Sequence, residues 1–302
     1  MIEFGWGEFF SLASAVCWAV AVILYKASGE SFSAHSLNLV KNCIGVALLI
    51  PTALLVHGFD WPDLSTTQWI ILIASGYFGI AIADTWYLQA LRQIGAGRTA
   101  IVASLYSPFV VMLSIVFLGE SLAAGQWLGF VLVLVGILIV VYQKHYSEVE
   151  VEARIKGLLL AAGSVFLTAA GVVAMKPLLD SDGFFWMVGL RLLAGTLGMV
   201  LWLMLTQKLT SFVTEITAES HRWHIIIPAA VVGTYLALMF WLAGFKYADA
   251  SVASVLNETA NVFIVLMAWI FLKEHFGLRR AVGVTFTFTG VLIFLGVAQV
   301  FG

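Results

Sequence analysis

Phe117–Glu120 reads FLGE, and 154 positions later Phe271–Glu274 reads FLKE. A nearly equal offset of 150 positions carries Lys41 to Arg191. Similarity at a fixed internal spacing is typical of a duplicated fold. Because charged residues are rare in apolar segments, their recurrence at matching positions argues against chance similarity. The chain is therefore predicted to consist of two related halves.

The sequence around these two copies is very apolar. Of its 302 residues, 62% are hydrophobic and 11% are charged, the net charge is -2, and the mean hydropathy is +1.01. A soluble domain carries about 25% charged residues, and a soluble fold of this length could not bury so much apolar surface. The composition excludes a soluble enzyme, a disordered linker and a nucleic-acid binder. It favours an integral membrane protein.

About ten segments are long and apolar enough to cross a bilayer. The predicted spans cover residues 9–27, 36–56, 69–91, 97–118, 124–142, 157–176, 184–206, 224–246, 250–272 and 279–300. Residues 1–142 then form a first five-helix repeat, 143–156 a polar linker, and 157–302 a second repeat. Because five is odd, the second repeat enters the membrane from the opposite side. The predicted fold is an all-α membrane protein with an inverted-topology repeat.

A second polar stretch, residues 207–223, separates two of the later spans. A short interfacial helix near Thr214–Ser220 is one interpretation, and an irregular linker is the preferred one.

The duplicated motifs resemble those of a known family. Residues 100–109 (AIVASLYSPF), followed by Phe117–Leu122 (FLGESL), are similar to the signature of EamA-type members of the drug/metabolite transporter superfamily. Residues 250–253 and Phe271–Glu274 repeat that pattern. The resemblance implies a ten-helix secondary transporter with a central cavity between its halves. It does not imply a particular substrate.

The second copy departs from the family pattern at two places. Val262 stands where a proline comparable to Pro108 is expected, and Asn257–Glu258 stands where apolar or small residues are usual. The second departure places a carboxylate in the middle of a predicted span.

The repeat separates the membrane charges into two groups. Charges present in both halves at span ends are interpreted as structural, because a long side chain can reach the interface or a carboxylate can cap a turn; these are Lys26, Lys176, Arg92, Lys246, Glu120 and Glu274. Lys41 and Arg191 lie about two turns inside their spans. Each is expected either to pair with a buried acid or to bind a carboxylate or phosphate of the substrate.

Asp84 and Glu258 have no charged counterpart, because the 154-residue offset relates them to Leu238 and Ser104. A carboxylate at mid-span must be neutralised by a proton, a basic partner or a bound cation. We predict that Glu258 binds and releases a coupling proton, with Asp84 as a second acid. The alternative is a permanent ion pair with Lys41 or Arg191.

Polar and aromatic neighbours surround these two acids. Asn257 and Asn261 flank Glu258 and make a polar stripe that suits a water-filled cavity. Tyr77 and Trp86 lie near Asp84, and aromatic rings can pack against a cation or an organic substrate. Trp18 on the first span is a further candidate for a cavity aromatic. Packing or lipid contact is the alternative for any single ring.

Other chemistry is not supported by the sequence. The histidines lack metal-ligand spacing, Cys17 and Cys43 are too few for a disulfide framework or a metal cluster, and no phosphate loop or catalytic triad stands out. No catalytic residue, metal or cofactor is therefore predicted. The expected partners are a small-molecule substrate and the lipid bilayer, with no nucleic acid, and the oligomeric state is left open.

The predicted function is secondary active transport across the plasma membrane by alternating access, coupled to protons. The substrate is expected to be a small polar or amphipathic organic metabolite, such as an amino acid, an amine or a drug-like compound. A membrane-embedded enzyme and a passive channel or scaffold are the alternatives.

Loop charges predict the orientation of the chain. The predicted loops on the side of both termini carry 2 Lys or Arg residues, and those on the opposite side carry 11. Because cytoplasmic loops carry the excess of basic residues, both termini are predicted to lie outside the cytoplasm. Family members are often drawn with both termini in the cytoplasm, so the resemblance implies the opposite orientation.

Overall fold

The computed structural model describes residues 5–28, 32–141, 151–179, 183–217, 222–273 and 277–301. Regular structure in these ranges is entirely helical, as predicted. The helices are α1 Trp6–Ser28, α2 Ala34–His57, α3 Thr66–Gly76, α4 Ala83–Ala103, α5 Tyr106–Leu118, α6 Ala124–Val141, α7 Val151–Leu179, α8 Phe184–Leu205, α9 Leu209–Ile216, α10 Trp223–Ala230, α11 Ala237–Tyr247, α12 Ala250–Asn257, α13 Thr259–Leu272 and α14 Leu278–Phe301.

Nine segments of the described chain are long and apolar enough to cross a membrane, and α5 is a shorter apolar helix. The predicted boundary between the third and fourth spans is not marked by an interruption in the helical backbone of α4. The chain reverses direction relative to α7 between Ile94 and Phe109, because Trp86 lies against Gly163, Ile94 against Gly157 and Phe109 against Phe166. The nine segments and α5 together agree with the ten predicted spans.

Helix contacts relate the two halves by an approximate two-fold axis. Two helices pack against their own counterparts, namely α2 on α8 and α6 on α14, and α5 packs on α12, which directly precedes its counterpart α13. The remaining contacts are exchanged, since α1 packs on α10 and α11 whereas α7 packs on α3 and α4. Paired helices run antiparallel: Gly129 lies against Phe294, and Gly136 lies against Thr287. Antiparallel counterparts confirm the inverted-repeat fold.

Irregular backbone also recurs at equivalent positions. A π-helical turn, Tyr77–Ile82, joins α3 to α4, and a second one, Val231–Leu236, joins α10 to α11 exactly one repeat offset of 154 residues later. Such turns are uncommon inside helices and often lie at functional sites. Their duplication shows that the backbone of the two repeats, and not only the charge pattern, is shared.

The duplicated FLGE and FLKE motifs end helices α5 and α13 in the same way. Gly119 and Lys273 follow these helices with φ angles of 70° and 55°, in the left-handed region. Their backbone N–H groups donate to the carbonyls of Ser114 and Ala268. Glycine adopts this conformation without strain, whereas lysine does not. The shared motif thus ends a helix in both copies, with glycine at position 119 and lysine at the equivalent position 273.

Two polar stretches are more helical than expected. Helix α7 begins at Val151, inside the predicted polar linker. Helix α9, Leu209–Ile216, occupies part of the stretch for which an irregular linker was preferred, so that preference is wrong. Glu215 of α9 accepts hydrogen bonds from the Ser33 N–H, from the Ser33 hydroxyl at 2.9 Å and from the Ser36 hydroxyl at 2.6 Å. The helix is fixed because its carboxylate caps the N-terminus of α2.

Candidate functional site

Two charges at span ends bind the turn between α11 and α12. Lys176 Nζ donates to the carbonyl oxygens of Phe245 at 2.8 Å and Ala248 at 2.6 Å. Glu120 Oε1 accepts from the Ala250 N–H at 2.6 Å. These contacts satisfy the exposed backbone groups at one helix C-terminus and one helix N-terminus, which agrees with the structural role expected for both residues.

Of the other span-end charges interpreted as structural, the structure describes the side chain of one. Lys246 Nζ lies 5.5 Å and 5.8 Å from the ring centres of Phe184 and Tyr247. Glu274 and the side chains of Lys26 and Arg92 lie outside the described residues, so their predicted roles stay predictions.

Asp84 lies beside Lys41, on the facing helix α2. Lys41 Nζ is 3.4 Å from Asp84 Oδ2 and 3.3 Å from Asn42 Oδ1. The side chains of Lys41 and Asp84 are 18% and 36% exposed. Of the two alternatives that the sequence left open for Asp84, the ion pair is the arrangement present. This pair neutralises one acid and one base inside the first repeat.

Arg191 occupies the equivalent position on α8, but its surroundings differ. The residue is 1% exposed, and its Nε donates to Ser75 Oγ at 3.3 Å. The guanidinium carbon lies 5.4 Å from the ring centre of Trp241, within cation–π range. Within the described ranges no acidic side chain forms an ion pair with it. Arg191 is therefore a buried cation held by a hydroxyl and an aromatic ring.

Glu258 is 4% exposed and lies at the junction of α12 and α13. Its Oε1 accepts from the Ser107 N–H at 3.3 Å, and its Oε2 accepts from Asn261 Nδ2 at 3.0 Å. Ser107 and Asn261 are themselves related by the 154-residue offset. The carboxylate thus lies between equivalent positions of the two repeats, close to the approximate two-fold axis.

The contact with Ser107 has a favourable electrostatic setting. Ser107 lies in the first turn of α5, where unpaired N–H groups and the helix dipole attract negative charge. The Ser107 hydroxyl also lies 3.5 Å from that of Ser254. No cation forms an ion pair with Glu258 in the part of the chain that the structure describes. Within the described residues, polar groups alone contact this carboxylate.

The two asparagines beside Glu258 behave differently. Asn261 contacts the carboxylate directly, whereas Asn257 Nδ2 donates to the Ala253 carbonyl of its own helix at 2.8 Å. The predicted polar stripe therefore contributes one side chain to the acid, and the second amide turns back to the backbone.

Tyr106 connects the surroundings of Arg191 and Glu258. Its ring lies 6.5 Å from that of Trp241, and its hydroxyl is within electrostatic range of both charged groups. That hydroxyl is buried beside Trp241. Sequence reasoning did not single out Tyr106, Trp241, Ser75 or Ser107. The only signal was that Tyr106 and Ser107 belong to the motif AIVASLYSPF.

The three predicted cavity aromatics have different surroundings. Tyr77 contacts Gly198 on α8 and the ring of Phe78, and it is 37% exposed. Trp86 lies against Gly163 on α7. It lines a largely apolar crevice of about 660 Å³ together with residues near the start of α7, which include Glu152, Lys156 and Leu160. Trp18 is 40% exposed.

Comparison with known proteins identifies related sequences over nearly the whole chain. The model of the EamA-like transporter family matches residues 5–142 and again residues 155–296. An uncharacterized transporter of Archaeoglobus fulgidus is 26% identical, over 94% of this chain and 96% of its own. The pseudopaline exporter CntI of Pseudomonas aeruginosa is 26% identical, over 89% of this chain and 88% of its own.

Two further similarities are more distant. Protein PecM of Dickeya dadantii is 25% identical over 74% of this chain and 72% of its own. One solved crystal structure superposes with a TM-score of 0.80 at 18% identity, covering 97% of each chain. That similarity supports the fold alone.

Proposed function

We propose that this chain, which belongs to the EamA-like transporter family, moves a small polar or amphipathic organic metabolite across the plasma membrane by proton-coupled alternating access. The single observation that carries the proposal is the position of Glu258. A buried carboxylate without a cation partner among the described residues lies between equivalent positions of the two repeats. An ionisable group at that depth is expensive and is typically functional.

Alternating access requires the repeats to change their contacts around a central site. Two cross-repeat contacts lie on this interface. Glu258 of the second repeat binds the first turn of α5 at mid-depth, and Glu120 of the first repeat binds the first turn of α12 near one end. A motion that opens this end of the molecule has to release Glu120.

Protonation of Glu258 supplies the coupling step. When the carboxylate is ionised, it attracts the Ser107 N–H and the positive end of α5. Hydrogen bonds to an ionised group are about twice as strong as neutral ones, so a proton on Glu258 weakens its link to the first repeat. Proton binding thus favours rearrangement of the interface, and proton release restores the contact.

We assign the coupling proton to Glu258 and not to Asp84. Lys41 pairs with Asp84 at 3.4 Å, whereas no cation among the described residues pairs with Glu258. Asp84 is proposed as the second acid of the cavity, where it holds the Lys41 ammonium group in place. Trp18, Tyr77 and Trp86 stay candidates for substrate contacts in other conformations. Catalysis is not part of the proposal.

Transport measurements in proteoliposomes test the proposal. We expect wild-type protein to accumulate a substrate from a panel of labelled amino acids, amines and drug-like cations when a pH gradient is imposed. Glu258→Gln should abolish this uphill accumulation, while exchange of labelled for unlabelled substrate continues. Asp63→Asn, at an exposed loop position, is the matched control and should leave both activities unchanged.

The same experiment separates the alternatives. Uphill accumulation that survives Glu258→Gln contradicts the coupling role. Flux without counterflow indicates a passive channel, because a channel does not exchange substrate against its own gradient. An enzyme would alter the labelled compound chemically.

We further propose that both termini lie on the extracytoplasmic side of the plasma membrane. The excess of Lys and Arg in the loops of the opposite side supports this orientation. A reporter that is active only in the cytoplasm, fused in turn to each terminus, should be inactive at both. Activity at either terminus contradicts the proposal.

A further inference from the structure

The two repeats treat their inner basic residue differently. Helix α2 contacts α4 in the first repeat, and the equivalent helix α8 contacts α11 in the second. In the first repeat Lys41 pairs with Asp84 across that contact. In the second repeat the equivalent residues are Arg191 and Leu238. The base was kept and the acid is absent, so the equivalent ion pair cannot form.

The charges near Arg191 do not cancel. Asp84 is the acidic residue within electrostatic range of the guanidinium, but it already pairs with Lys41. The set of Lys41, Asp84 and Arg191 therefore carries one net positive charge. Arg191 is 1% exposed, so water does little to compensate it. A buried charge without a partner is unfavourable unless another ion neutralises it.

Two of the three guanidinium nitrogens of Arg191 lack a hydrogen-bond partner among the described residues. Nε is occupied by Ser75 Oγ at 3.3 Å, and no hydrogen bond from Nη1 or Nη2 is formed to the described residues. Gly79, in the first π-helical turn, lets Nη2 approach the backbone closely, because a side-chain carbon there would lie only 3.1 Å from that atom. Trp241 forms one wall of the site. The two Nη groups of an arginine match the two oxygens of a carboxylate.

We infer that Arg191 binds a carboxylate group of the transported substrate. The inference rests on the proposed transport function and names the chemistry of its cargo. One net positive charge matches one carboxylate, whereas a phosphate monoester carries about -1.5 to -2 at pH 7 and would leave negative charge uncompensated. Tyr106, whose buried hydroxyl lies beside Trp241, is positioned between this site and Glu258 and can contact the rest of the substrate.

Matched pairs of probes test the inference. Purified protein is exposed to each common L-amino acid, to the amine formed by removing its carboxylate, and to simple monocarboxylates such as lactate and benzoate. Thermal stability gives binding, and counterflow in proteoliposomes gives transport. We expect at least one carboxylate to raise the melting temperature and to exchange, while the matching compound without a carboxylate does neither.

Three variants assign the effect to Arg191. Arg191→Met should abolish the preference for carboxylates, and Arg191→Lys should retain it with affinity reduced at least about tenfold, because an ammonium cannot bind both oxygens in the same way. Leu238→Asp introduces the acid that the first repeat has, and it should also abolish the preference by neutralising Arg191 internally. Elution as a single species on size exclusion identifies the variants that are folded.

The possible outcomes decide whether the inference holds, and they distinguish its failure from a failure of the proposed function. A carboxylate preference that persists in Arg191→Met, or no difference between carboxylates and their partners in wild type, overturns it. Uphill transport of a compound without a carboxylate, lost in Glu258→Gln, overturns the inference and leaves the proposed function intact. Carboxylate binding that depends on Arg191, in a protein that shows no uphill transport, overturns the proposed function and leaves the inference intact.

Discussion

Glu120 of the first repeat caps helix α12 of the second: its Oε2 accepts hydrogen bonds from the Ser251 N–H at 2.9 Å and the Ser251 hydroxyl at 2.7 Å. The N-cap position itself is held by Asp249, whose side chain makes no capping hydrogen bond. The cap of this helix is therefore supplied from across the repeat interface. Glu120 stabilises the helix and joins the two repeats at this end.

We expect Glu120→Ala to lower the free energy of unfolding by about 1–2 kcal/mol, because losing a helix cap costs roughly that much and the Ala250 and Ser251 N–H groups lose their acceptor. Thermal melting of the purified protein measures the change. Asp63→Asn, which removes an exposed loop carboxylate, should leave the melting temperature unchanged. A Glu120→Ala melting curve that overlays wild type would rule out the cap as a stabilising contact.

Asp249 should make the stability of the turn between α11 and α12 depend on pH. Partial burial, followed by the nearby Glu120 carboxylate, raises the pKa of Asp249 above its ordinary value of 3.8, and Lys176 opposes the shift. Since the folded state binds this proton more tightly than the unfolded state, the contribution of Asp249 to stability is greatest below pH 3.8 and is lost as pH rises through the elevated pKa. We expect Asp249→Asn to be more stable than wild type at pH 7.

The advantage of Asp249→Asn should disappear when melting is repeated near or below pH 3.8. The exposed Asp63→Asn variant provides the reference and should show no such trend. An advantage that grows toward low pH would mean that the ionised Asp249 stabilises the turn, which is the opposite sign.

Lys273 is expected to be a strained helix stop. Lys273→Gly should increase the free energy of unfolding by about 0.5–1 kcal/mol, because glycine adopts the left-handed conformation without steric cost. Gly119→Ala, at the equivalent position, should decrease it by about 1 kcal/mol. Lys273→Ala is the control for the lost charge, since it keeps a side-chain carbon, and it should show no gain. Thermal melting of the three variants tests the assignment.

Sequence predicted the repeat well because charges in apolar helices are few and therefore informative. The relation of Lys41 to Arg191 and of Glu120 to Glu274 was sufficient to predict the repeat. Together with ten apolar segments, it predicted an inverted fold. Helix α9 was harder to predict, because its position depends on the contact of Glu215 with the start of α2, which joins residues far apart in the chain.

The sequence predicted the two acids of the candidate site but not the groups that contact them. The broken symmetry at Asp84 and Glu258 identifies both residues, but whether each meets a base depends on how helices face each other. Asp84 meets Lys41, whereas Glu258 meets a backbone N–H. A backbone donor is present at nearly every residue, so the sequence carries no sign of which one is used.

Close packing of α6 on α14 depends on glycines. A side-chain carbon at position 290 would lie 2.7 Å from the Val133 nitrogen and 2.8 Å from the Gly129 oxygen. Because helix backbones cannot yield easily, we expect Gly290→Ala to destabilise the protein by about 1–3 kcal/mol. Gly296→Ala on the same helix has no atom within 4 Å of the added carbon and should not destabilise. Equal melting temperatures for the two variants would contradict this packing argument.

Asn261 should set the pH at which Glu258 exchanges its proton. Its amide donates to Glu258 Oε2 at 3.0 Å and favours the ionised carboxylate. In Asn261→Leu the ionised form loses one of its two hydrogen bonds, so the pH of half-maximal uphill transport should move upward by about one unit. Asn257→Leu is the matched control, because the Asn257 amide bonds to Ala253 O instead, and its pH profile should follow wild type. A downward shift in Asn261→Leu, or equal shifts in both variants, would show that Glu258 is not the group whose protonation drives transport.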